Sequence, residues 1–100
     1  MNNYFDVDAF TLKKLKLNGA EYCFRPMTNR DHEEYVKPVL IPKLAQNLET
    51  SEYVKVAIEA IKRRIEDIPE DDLRDVPNSV LNDIFSYVLH GIHPEDEKNF

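Results

Sequence analysis

The stretch Leu15-Lys-Leu-Asn-Gly-Ala-Glu-Tyr-Cys-Phe-Arg-Pro-Met-Thr28 decides how this chain is read. Asn18-Gly19 tolerates positive φ at both central positions of a type I′ turn, and it sits between two runs of alternating apolar and polar residues. The expected β-hairpin spans 11–25, with Leu17 opposite Ala20, Lys16 opposite Glu21 and Leu15 opposite Tyr22. Leu15, Leu17, Tyr22 and Phe24 then share a burying face. Lys14, Lys16, Glu21 and Arg25 share a wet one, with Lys16–Glu21 as a modest cross-strand pair. Pro26 cannot donate to a ladder and ends the second strand, and Thr28 is placed to cap a helix.

An isolated hairpin is marginal in water, so its apolar face has to pack on helices from the rest of the chain. Asp31, Glu33 and Glu34 complement the dipole of a first helix over 29–37, which is expected to stop before Pro38. A second helical piece is placed at about 42–48 with Pro42 in its first turn. The next runs over 52–67, capped by Thr50 or Ser51. Its Val54, Ala57, Ile58, Ile61, Ile65 and Ile68 follow a three-four spacing. A short acidic helix at 70–75 carries Leu73, and a last helix at 79–90 carries a wide apolar stripe ending at Gly91. Upstream, residues 1–10 read as an extended or one-turn lead-in with Phe5 and Phe10 as anchors. The fold class is α+β and mostly helical, an N-terminal antiparallel hairpin followed by a bundle of four or five helices. One domain covers 1–92, with a polar tail at 93–100.

No apolar run approaches the roughly 18–20 residues needed to cross a bilayer, and the first residues lack the basic and apolar regions of a signal peptide. A soluble intracellular protein is expected. The formal net charge is −6. Its source is uneven: residues 1–50 hold seven basic and seven acidic side chains, whereas residues 51–100 hold six and twelve. That distribution argues against direct nucleic-acid binding, which needs a basic face.

Catalytic and cofactor chemistry finds no footing. With Gly19 and Gly91 as the two glycines there is no phosphate loop and no nucleophile elbow. Ser51, Ser79 and Ser86 fall at caps or within a helix, and Asp71 and Asp72 are adjacent rather than facing across a cleft. Cys23, the one cysteine, lies within a strand and reads as a packing residue. His90 and His93, even with Glu95 or Asp96, are too few and straddle a glycine, so no metal site is expected. His90 is accounted for by the helix C-terminus. Asp31-His-Glu-Glu34 lacks the second histidine of a zinc-protease helix. The acidic run 66–75 lacks the glycine of a calcium loop and reads as a helix start, or else as a docking surface for a basic partner. No enzyme is expected.

Binding through a surface remains. Tyr35-Val-Lys-Pro-Val-Leu-Ile-Pro42 sets apolar residues beside two prolines with weak periodicity, which suits core beneath a helix junction. Exposed, the same segment would form an apolar patch, with Tyr35, Val39, Leu40 and Leu44 as candidate partner-binding residues.

Taken in order, Phe10 to Thr28 with its hairpin, the acidic helix start Asp31-His-Glu-Glu34 and the later Ile68-Pro-Glu-Asp-Asp-Leu73 resemble the small tail assembly chaperones of long-tailed bacteriophages. The likeness spans roughly residues 5–90. It implies a non-enzymatic protein of the host cytoplasm, absent from the mature virion, without cofactor. Such a protein binds the tape measure protein, with the tail tube protein as a further partner, and self-associates; some relatives have a longer frameshifted form. The charge of the second half supports another reading, a small acidic inhibitor occupying a basic site on a host nucleic-acid-binding protein. A minor structural tail component is a third.

Overall fold

Asn18 and Gly19 take φ of 51° and 79°, the left-handed pair that a type I′ turn requires. In the computed structural model, which describes residues 4–92, they join β1 (Lys13–Leu17) to antiparallel β2 (Ala20–Phe24). The register is the one the turn dictates: Leu17 faces Ala20, Lys16 faces Glu21 and Leu15 faces Tyr22. Phe24 is buried and Leu15, Leu17 and Tyr22 are half-buried, while Lys14, Lys16, Glu21 and Cys23 are exposed.

Two expectations about this hairpin are corrected. Cys23 is not a packing residue, because alternation between inward Tyr22 and Phe24 turns its thiol to the wet face. The ion pair made by Glu21 is to Lys14 at 3.7 Å, the diagonal neighbour rather than Lys16. Both ends are exposed, so it adds little stability.

Thr28 hands the chain to helix through a complete capping box. Its hydroxyl accepts the Asp31 N–H at 3.1 Å, and its own N–H donates to Asp31 Oδ2 at 2.9 Å. The helix α2 then runs unbroken over 29–44, where two pieces separated at Pro38 are expected. Its middle, His32–Leu40, is wound as a π-helix, closing with the Ile41 N–H on the Val36 carbonyl five residues back. The wider turn relieves the clash a proline ring meets in an α-helix, so Pro38 sits inside it. Pro42 lies in the first turn of the α-helical end, Ile41–Leu44. That end stops short of 48: the Gln46 N–H bonds the Lys43 carbonyl at 3.2 Å, tightening the last turn, and Leu48 lies beyond it, half-buried.

The helix α3 (Thr50–Lys62) begins and ends earlier than its periodicity suggests. Glu49 is the cap residue, since its carbonyl already accepts the Tyr53 N–H at 2.9 Å, which leaves Thr50 and Ser51 inside the helix. After Lys62 the Arg63 and Arg64 N–H groups bond three residues back and break the α pattern. Lys62 Nζ then donates to the Ile68 carbonyl at 2.8 Å and holds the turn. Ile65 and Ile68 therefore reach the core from a turn, at 3% and 0% exposure. The short α4 (Glu70–Arg74) buries Leu73, and α5 (Asn78–His90) ends at Gly91 in the left-handed conformation, φ 71°.

One contiguous core joins these parts. Ala57, Ile58, Ala60 and Ile61 of α3 and Leu81, Ile84, Phe85 and Val88 of α5 form its centre. Phe24, Met27, Tyr35, Val36 and Leu40 close it on the side of the hairpin and α2. The hairpin is clamped to α5 by Tyr87, whose ring meets Phe24 edge-on at 5.1 Å and whose hydroxyl donates to the Lys14 carbonyl at 3.3 Å. Arg64 fastens the other end of the strand: Nε donates to the Arg25 carbonyl at 2.8 Å, and Nη1 lies 3.5 Å from Asp31. The fold is α+β and mostly helical, as its patterning implies. The polar tail at 93–100 and the first three residues of the lead-in lie outside the described residues.

Candidate binding surface

Tyr4, Phe5, Val7 and Phe10 are four large apolar residues within seven positions, too few turns of chain to build a helix with its own buried face. They do not anchor the lead-in. The helix α1 (Val7–Thr11) is capped by Asp6, whose carboxylate accepts the Ala9 N–H at 3.2 Å, and it buries none of its residues. Phe5 and Phe10, expected as anchors, are 69% and 64% exposed. Their rings meet each other, with centroids 5.2 Å apart, instead of entering the core. Core positions nearby are already filled by Phe24 and Met27.

The contacts of α1 with the hairpin are polar and exposed. Arg25 Nη2 lies 3.4 Å from Asp8, and Lys13 Nζ sits 5.4 Å from the centroid of the Phe10 ring. Beneath it, the Met27 N–H donates to the Val88 carbonyl at 3.0 Å, which draws Pro26 and Met27 onto the end of α5. Val7, Phe10, Pro26, Met27 and Ile92 thus line a shallow groove of about 580 Å³, with Lys13, Arg25, Asp8 and His90 among its polar residues.

The four partner-binding candidates of α2 divide. Tyr35 and Leu40 belong to the core at 4% and 1% exposure, and Val39 packs partly against it. Leu44 is at the surface beside Ile41, which is 54% exposed. The π-helical winding sorts them, because it changes which residues stack on one face. Tyr35 is covered by the Arg63 guanidinium, 4.1 Å from its ring centroid. Burial, with Glu59 adding to it against Arg63, pushes the Tyr35 phenol above its ordinary range.

Asp31 is the other perturbed group of note. Its partial burial works to raise the carboxyl, but the Thr28 N–H and hydroxyl and the charges of Arg64 and Arg63 outweigh it. The carboxyl is held below the usual range. Both of its roles are structural, so this shift does not mark a reactive site. The acids of 66–75 stand mostly outward: Glu66, Asp67, Glu70, Asp71 and Asp75 are exposed, with Glu70 3.4 Å from Arg74. Ser51 and Ser79 are exposed at the start of their helices and Ser86 is half-buried. Among the described residues no three histidine, cysteine or carboxylate side chains gather to hold a metal; His93 lies outside them. No helix among them is long and apolar enough to cross a membrane.

The sequence marks Phe5 and Phe10 as anchors and does not bring the groove together. The available signal is four apolar residues in a stretch too short to bury a face of its own; the contact of Pro26 with the end of α5 carries no local signal. Compared with models of protein families, with curated proteins and with solved structures, the chain matches none.

Proposed function

We propose that this protein is a non-enzymatic chaperone of tail assembly in a long-tailed bacteriophage. In this reading it works in the host cytoplasm, holds the tape measure protein in solution while the tail tube forms around it, and is left out of the mature virion. The observation that carries the reading is the surface formed by Phe5, Val7, Phe10 and Ile92, each between 39% and 69% exposed. Burying such a side chain against a partner contributes roughly 1.5–3 kcal/mol, whereas an exposed ion pair adds about 0–1 kcal/mol. A partner gripped here is therefore held mainly by apolar contact, which suits a helical, aggregation-prone protein. Ile41 and Leu44 offer a second apolar area for the tail tube protein or for a second copy of the chain.

Co-expression with a long helical tape measure protein tests the proposal: its soluble fraction rises when the chaperone is present, and an unchanged fraction refutes it. The exposed acids of 66–75 favour one other reading, an inhibitor that occupies a basic site on a host nucleic-acid-binding protein. Salt separates the two. Affinity held by opposed charges falls steeply between low and physiological salt, while affinity held by apolar contact changes little.

A further inference from the structure

We infer that the groove between α1 and the Pro26–Met27 segment takes an amphipathic helix bearing carboxylates beside its apolar stripe. This deepens the chaperone reading by naming the chemistry that the partner presents, and so rests on it. The walls supply the apolar half of the match, through Val7, Phe10, Pro26, Met27 and Ile92. Side chains at i, i+3, i+4 and i+7 of one helix face are the usual occupants of such a surface. The charged residues supply the other half: Lys13 and Arg25, against one acid, Asp8.

Although the chain has a net charge of −6, these two cations sit where the apolar surface is. Arg25 is engaged by Asp8, but both are well exposed, at 48% and 85% of their side chains. An exposed pair is weak, so a carboxylate of the partner can take the place of Asp8. Screening over about 8 Å at physiological salt makes the charges lining the groove count for more than those elsewhere on the chain.

The test uses the full chain and two labelled model peptides with leucines at i, i+3, i+4 and i+7, one flanked by glutamates and the other by lysines. Fluorescence anisotropy is read at physiological salt. The glutamate peptide binds at least about tenfold more tightly than the lysine peptide, Phe10→Ser and Val7→Ser each weaken it, and Arg25→Glu removes the preference. Equal binding of the two peptides, or binding indifferent to both groove variants, overturns the inference. So does sedimentation showing a dimer that Phe10→Ser abolishes and the peptides do not displace, which assigns the groove to a second copy. If neither peptide binds while co-expression still keeps the tape measure protein soluble, the groove assignment fails and the chaperone reading stands. If the glutamate peptide binds as described without any gain in solubility, the groove assignment stands and the chaperone reading fails.

Discussion

A Cβ added at Gly91 would stand 2.6 Å from Cγ of Pro26, closer than side chains pack. The residue that ends the last helix and the residue that ends the hairpin thus abut directly within the lining of the groove. Gly91 is required twice, by its φ of 71° and by this approach, whereas Gly19 has φ 79° with open space around it. Gly91→Ala is expected to destabilise the protein by about 2 kcal/mol or more, combining left-handed strain with overpacking. Gly19→Ala should cost only about 1 kcal/mol, for strain alone. Urea unfolding of both variants checks this, and equal losses would show that the Pro26 contact yields freely.

Asp31 ties acid sensitivity to the start of α2. Its carboxyl is held below its unfolded value of about 3.8, so the stabilisation is fully present above that pH and is lost as pH falls through the folded value. Asp31→Asn should lower stability by about 1 kcal/mol near neutrality. The gap from the parent should close below about pH 4. Denaturant midpoints measured from pH 7 down to pH 3 decide it; a gap that stays constant across that range refutes the assignment.

Leu40 and Leu44 are four residues apart on one helix but have opposite fates, at 1% and 36% exposure. Leu40→Ala should cost about 2–5 kcal/mol as a core truncation, while Leu44→Ser should stay within about 0.5 kcal/mol. If thermal unfolding shows comparable losses, the winding of α2 differs from that described.

Cys23 points outward from β2, so a thiol reagent should label it completely in the native protein, without denaturant and without loss of helical circular dichroism. Labelling that waits for unfolding would place Cys23 inside.

The order of elements was legible from local chemistry. Asn18-Gly19 determines a hairpin and its register because few residues accept two positive φ angles in succession. Thr28 with Asp31 determines a helix start because the two side chains satisfy each other's backbone groups. Gly91 determines a helix end for a related reason. Cys23, expected to pack because it lies within a strand, is at the surface because alternation with inward Tyr22 and Phe24 decides its face. Pro38 misled because the rule that a proline breaks a helix assumes α winding, and the chain met it with a wider turn. The end of α3 misled because Ile65 and Ile68 keep helical spacing while reaching the core from a turn held by Lys62.

Tertiary structure alone decided the candidate site. Whether Phe5 and Phe10 enter the core depends on whether room is left there, and Phe24 and Met27 had filled it. Whether Tyr35 and Leu40 are surface or core depends on the phase of α2 against α3 and α5, which no local pattern sets. The sequence by itself determined the hairpin, its register, the caps at Thr28 and Gly91 and the apolar stripes, because these follow from φ, ψ and side-chain spacing within a few residues. Only packing decided which apolar residues were left outside, because burial is a competition for a shared volume among elements far apart in the chain.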